Sequence, residues 1–126
     1  MHIIRGDQIE FVPASHEDPT DPGVLKRVLA NKNHLIDGRV QMVNWSRLPV
    51  GKSFQAHYHE DMQEVFIIVS GSVEMTVADM TCSLDAGDAI LISPREVHSM
   101  KNVCVTDVNY IVFGISTEQG GKTVNV

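Results

Sequence analysis

The sequence predicts an all-β sandwich or barrel built as one domain. Three observations carry that reading. Apolar, β-branched runs of strand length recur at intervals of roughly 8–12 residues. Clusters of Gly, Pro and Asp punctuate them, and no helical stretch of ordinary length interrupts the series. The chain has 126 residues, the size of one domain, and is 43% hydrophobic and 21% charged, an ordinary globular balance.

The elements follow in order. Gln8 to Val12 is a possible first strand, and residues 13–23 (PASHEDPTDPG) are a loop holding three of the five prolines. Val24 to Ala30 has apolar residues at 24, 25, 28 and 29, which suits either one helix turn or a short strand. Val40 to Leu48 has strand composition and ends at Pro49 and Gly51. Val65 to Val69 is a short apolar strand, followed by a Ser70-Gly71-Ser72 turn. Val73 to Ala78 alternates apolar and polar residues with period two. Cys82 to Leu84 is short, Asp85 to Asp88 is a turn, and Ala89 to Ile92 stops at Ser93-Pro94. Val103 to Ile115 reads as one long strand or two.

Charge narrows the partners. Asp plus Glu is 16 against 10 Lys plus Arg, a net charge of −6, and the whole excess lies beyond residue 50. A nucleic-acid partner needs a basic face, and none is present. A polyanionic substrate is disfavoured too, but a small acid held by one Arg is not. No apolar run approaches a membrane span. Cys82 and Cys104 are too few for a disulfide framework and are expected as buried free thiols. The N-terminus is too polar for a secretory leader, so the expected location is cytoplasmic.

The sharpest feature is His57-x-His59 followed by Glu64. On a strand, residues two apart share a face at about 6.7 Å separation, which suits two imidazoles converging on one ion. A turn at Glu60 to Met62 would return Glu64 beside them, and His98 offers a third imidazole. Imidazoles plus a carboxylate, without thiolate, suit one divalent transition metal: Mn, Fe, Ni, Cu or Zn. Parity places further residues near such a site. Gln55 shares the parity of His57; Phe66 and Ile68 that of Glu64; Met100 and Asn102 that of His98. Asn102 is either a partner orienting an imidazole or a strand-end residue satisfying backbone. On the 40–48 strand either Met42, Asn44 and Ser46 or Val43, Trp45 and Arg47 face inward, and an inward Arg47 would pair with a substrate carboxylate. His2, His16 and His34 read as surface residues.

The full spacing resembles the first motif of the cupin superfamily: Gly51, five residues, His57-x-His59, four residues, Glu64, six residues, Gly71. Gly87, His98 and Asn102 fall on its second motif, where Ser93 replaces a proline and Arg95 a glycine. The resemblance spans Gly51 to Asn102. It implies a single-domain, double-stranded β-helix (jelly-roll-like) barrel over residues 31–126, with residues 1–30 as an N-terminal arm or edge strand. It implies that His57, His59, Glu64 and His98 bind the metal inside that barrel. A metal-dependent enzyme on a small metabolite follows, of the dioxygenase, isomerase or epimerase, or decarboxylase class. The alternatives are a non-catalytic sensor or accessory protein, and a structural barrel of the storage type. Small relatives often pair as homodimers, with the N-terminal segment covering a sheet edge. Gly51, Gly71 and Gly87 are expected at turns of positive φ.

Overall fold

The computed structural model describes residues 1–36, 38–117 and 121–126. Eleven strands appear among them: β1 (Val12–Pro13), β2 (Leu25–Asn31), β3 (Val40–Leu48), β4 (His57–His59), β5 (Met62–Ser70), β6 (Ser72–Val77), β7 (Met80–Asp85), β8 (Ala89–Ile92), β9 (His98–Asn102), β10 (Val108–Ser116) and β11 (Thr123–Asn125). They form a six-stranded sheet in the order β1-β2-β3-β10-β5-β8 and a five-stranded sheet in the order β11-β4-β9-β6-β7. All pairs are antiparallel.

The fold is all-β, as the strand spacing predicts, but the expected barrel is corrected. Neither sheet closes. β1 and β8 end one sheet, and β11 and β7 end the other. A barrel requires its first and last strands to pair. Here β1 is two residues long, β11 three and β8 four, so the outer strands offer little ladder to a partner. Side chains between the sheets join them instead, as in a sandwich.

Period-two alternation explains the core. On β5, Met62, Glu64, Phe66 and Ile68 are buried; on β10, Val108, Tyr110 and Val112 are. Phe66, Ile68, Val108, Tyr110 and Val112 pack with Leu48, Val73, Met75, Ile92 and Met100 in one cluster that also takes in Ala14 and Val24. Val24 to Ala30 resolves as strand, because β2 pairs with β3 from Leu25↔Arg47 to Asn31↔Met42. The first strand is reduced to Val12–Pro13 behind a 3-10 turn over Gly6–Gln8. The Val103–Ile115 stretch is one strand from Val108, preceded by a turn.

Gly51, Gly71 and Gly87 adopt φ of +73°, +90° and +93°. At Gly71 a Cβ would also lie 2.6 Å from Val108 Cγ2, so the turn excludes a side chain twice over. The expectation of two buried thiols is corrected. Cys82 is exposed on the edge strand β7, whose outer face has no cover. Cys104 is half-buried and accepts a hydrogen bond from Ser72 N at 2.9 Å. No helix among the described residues is long and apolar enough to cross a membrane.

Candidate metal centre

The four motif residues meet between the sheets. His57 and His59 come from β4, His98 from β9 and Glu64 from β5 on the opposite sheet. Strand pairing sets His57 directly opposite His98. Parity puts His59 on the same inward face as His57, and the tight turn at Glu60 and Asp61 brings Glu64 back across the gap. All four are buried, and one ligand atom from each lies within 4.8 Å of the others.

The outer ring nitrogens are held by protein. His57 Nδ1 lies 2.6 Å from Gln55 O and His98 Nδ1 2.9 Å from Glu96 O. A carbonyl only accepts, so both Nδ1 atoms carry the proton and both Nε2 atoms point to the centre. His59 Nδ1 is 3.1 Å from Thr123 Oγ1 on β11. Backbone supports the arrangement further: Arg95 N donates to His59 O at 2.7 Å. Arg95 has φ +69°, in the left-handed region that favours glycine. The position where the resembled motif has glycine therefore keeps that conformation with an arginine in place.

Glu64 Oε1 lies 2.9 Å from His59 Nε2 and 3.0 Å from His98 Nε2. Burial would raise the Glu64 pKa, but the contacts from His59 and His98 outweigh it and hold the carboxyl down at about 2. Burial, reinforced by neighbouring His16, lowers the His57 pKa to about 3. At neutral pH the site thus presents an ionised carboxylate and a neutral imidazole, the protonation states that metal ligation requires. His59 Nε2 is fully buried and, despite its short distance to Glu64, makes no aligned hydrogen bond. A cation at the centre would satisfy this orphaned atom. The donor set fits a borderline divalent ion.

The cluster opens into a cavity of about 260 Å³. Its wall settles the parity question on β3. Met42, Asn44 and Ser46 face the cavity, and Val43, Trp45 and Arg47 face the other way. Arg47 therefore cannot meet a ligand there; its guanidinium lies 4.2 Å above the Phe11 ring, beside that of Arg27 at 4.0 Å. Phe66 lines the cavity, whereas Ile68 and Met100 lie in the apolar core behind it. Gln55 is exposed and donates to Val126 O, because β4 begins only at His57 and strand parity does not reach back to residue 55. Asn102 closes a strand end. Its Nδ2 donates to Leu48 O and Thr106 O, and its Oδ1 accepts from Cys104 N. That is the backbone-satisfying alternative, and no imidazole is among its partners. Tyr110 is buried on the cavity floor, hydrogen-bonded to Ser46, and burial pushes its pKa up, so the phenol stays neutral.

The residue that sequence reasoning missed is His16. Expected on the surface, its ring stacks on His57 with centroids 4.0 Å apart and lines the cavity. Glu17 fastens it there. Glu17 Oε2 lies 3.0 Å from His16 Nδ1 and accepts from Gln55 N at 2.7 Å, while Oε1 accepts from Gly23 N at 2.6 Å and Val24 N at 3.2 Å. Gly23 permits this closeness, because a Cβ would lie 1.8 Å from Ser53 O. No periodicity marks a loop contact of this kind; the only hint was a His-Glu pair in an otherwise turn-forming segment.

Comparisons with known proteins agree with this architecture. The family model described as "Cupin domain" matches residues 44–114, more than half of the chain. An uncharacterised protein of Methanocaldococcus jannaschii is 29% identical over 103 residues, covering 82% of this chain and 78% of its own. The crystal structure of a predicted oxalate decarboxylase from Thermotoga maritima superposes with a TM-score of 0.81 at 23% identity, covering 91% of this chain and 99% of its own. The polyketide cyclase RemF from Streptomyces resistomycificus gives 0.80 at 17% identity, covering all of this chain and 85% of its own. Likeness at these identities shows a shared fold.

Proposed function

The chain belongs to the cupin domain family, and from that premise we propose that it is a divalent-metal-dependent enzyme acting on a small molecule. One observation carries the reading: His57, His59, Glu64 and His98 converge, buried, at the wall of a cavity of metabolite size. These four residues would hold one Mn, Fe, Ni, Cu or Zn ion. Four protein ligands leave up to two positions of an octahedron for substrate or water, so the bound ion would supply Lewis-acid or redox chemistry.

The residues of the chain supply the rest. Gln55 O and Glu96 O orient two imidazoles, Thr123 a third, and Glu64 contributes the negative charge. Phe66, Met62 and Val112 exclude water from one side of the cavity, and His16 closes another. Reaction classes compatible with such a site are dioxygenation, isomerisation or epimerisation, and decarboxylation. The similar folds of the predicted oxalate decarboxylase and the polyketide cyclase support metabolite chemistry as a class without choosing a reaction.

The test is elemental analysis of tag-free protein beside a His57→Ala, His59→Ala double variant. Near-stoichiometric metal in the wild type, lost in the variant, is the expected result. A protein that neither carries nor takes up metal overturns the reading. We also propose a cytoplasmic homodimer in which residues 1–30 form an arm at the sheet edge, where Ile3, Ile4 and Val12 are exposed apolar residues. Light scattering giving the monomer mass of 13.9 kDa would refute the dimer.

A further inference from the structure

The cavity contains a cation that the metal site does not use. β2 pairs with β3 so that Lys26 lies opposite Ser46 and Val28 opposite Asn44. Residues paired across an antiparallel ladder share a face, so Lys26 points to the cavity side with Asn44 and Ser46. Arg27, opposite Trp45, goes to the outer face with Arg47, where both guanidinium groups cover Phe11. Lys26 is thus the lysine or arginine among the described cavity-lining residues.

Its ammonium is under-used. Nζ donates to Ser15 Oγ at 2.9 Å, which occupies one of three donors. No ion pair links it to a carboxylate among the described residues. Burial lowers its pKa, and no neighbouring charge offsets that cost. A polar group in the same wall is unsatisfied. Asn44 is 5% exposed, and its Oδ1 has no hydrogen-bond partner. A buried polar atom without a partner is uncommon, and one that faces the same cavity as an ammonium with donors to spare indicates what the cavity receives.

Charge and size give the class. With a divalent ion at the cluster, the cavity holds that ion and an ammonium against the single carboxylate of Glu64, an excess that a ligand anion would balance. The volume of about 260 Å³ lies just below the usual range for ligand pockets, which limits the occupant to a small metabolite. We propose that the cavity binds a small carboxylic acid, its carboxylate on the Lys26 ammonium, its hydroxyl or carbonyl group between Asn44 and the four-residue centre. This inference rests on the metal-enzyme reading and names its substrate class.

The test uses full-length, tag-free, Mn(II)-loaded protein and calorimetric titration with glycolate, pyruvate and malonate. Each acid is matched by its uncharged amide, and inorganic phosphate is run alongside. The variants are Lys26→Met, which keeps the aliphatic stem, and Lys26→Arg, which keeps the charge; thermal melts confirm that both fold. At least one acid should bind about tenfold or more tightly than its amide, as loss of one charge-assisted contact implies. Lys26→Met should erase that difference at unchanged Mn content, and Lys26→Arg should retain most of it. The inference is overturned if no acid outbinds its amide, if Lys26→Met binds the acid like wild type, or if phosphate outbinds every acid through Lys26. Failure to take up Mn sinks the metal reading separately. The same titrations on metal-free protein and Lys26→Met then still judge the carboxylate subsite.

Discussion

The His16 ring lies 4.0 Å from the His57 ring, centroid to centroid, and only 19° from parallel. A loop residue 41 positions earlier in the chain thus forms the cover of an imidazole in the candidate metal centre. The contact has an electrostatic consequence. Burial is the largest cause of the low His57 pKa, and His16 is the next. His16→Ala relaxes both. In metal-free protein the His57 pKa should rise from about 3 toward its ordinary value of 6.5, read by NMR titration of the ring protons. An unmoved titration would show that the stack does not shield the ring.

The loop is held by one carboxylate, whose side chain is 3% exposed. Glu17→Ala leaves the backbone N–H groups of Gly23, Val24 and Gln55 without their acceptor. Each lost bond to a buried charged acceptor is costly, so the variant should lose roughly 2–4 kcal/mol in urea unfolding. Hydrogen exchange should localise the damage to residues 13–24 and 53–56. Wild-type stability in this variant would mean that water replaces the carboxylate at little cost.

Acid should destabilise the metal-free protein, and the sign follows from two depressed values. Folded His57 binds its proton only near pH 3, whereas the unfolded chain binds it from 6.5 downward. Folded Glu64 protonates near pH 2 and the unfolded chain near 4.5. In both windows the unfolded state holds more protons, so stability falls as pH falls. The loss begins near pH 6.5 with His57, and Glu64 adds to it below about 4.5; half-buried His16, also depressed, acts in the same direction. Urea midpoints measured in chelator from pH 7.5 to 4 should decline steadily. A flat series would show that these groups are not held in the described states.

Arg95 is exposed and sits at φ +69°. An L-residue there carries about 1–2 kcal/mol of strain, against about 0.5–1 kcal/mol of chain entropy for a glycine. Arg95→Gly should therefore stabilise the protein by about 0.5–1 kcal/mol, with the Arg95 N to His59 O bond and the metal content unchanged. A drop in thermal midpoint would mean that the Arg95 side chain contributes more than its backbone costs.

Most strand positions and the His57–His59 pair were legible in the chain because both depend on short-range geometry. Period two places His57 with His59 and buries alternate residues of β5 and β10 wherever the backbone is extended. Glu64 and His98 join that pair as a ligand set through the resemblance to the two cupin motifs. The same rule failed at Gln55, where the strand has not yet begun, and it was silent on β3, whose two faces are both partly apolar. There the pairing partner decided: β10 and β2 turn Asn44 and Ser46 inward and leave Arg47 with Phe11.

Local pattern thus marked most of the strands, their punctuation at Gly51, Gly71 and Gly87, and the paired imidazoles of His57 and His59, while the motif resemblance supplied Glu64 and His98. The assembled sheets decided whether they close, which face of β3 lines the cavity, where Lys26 points and what covers His57. Those are contacts between residues far apart in sequence. Their geometry depends on strand register and loop docking, to which alternation along a single strand carries no information.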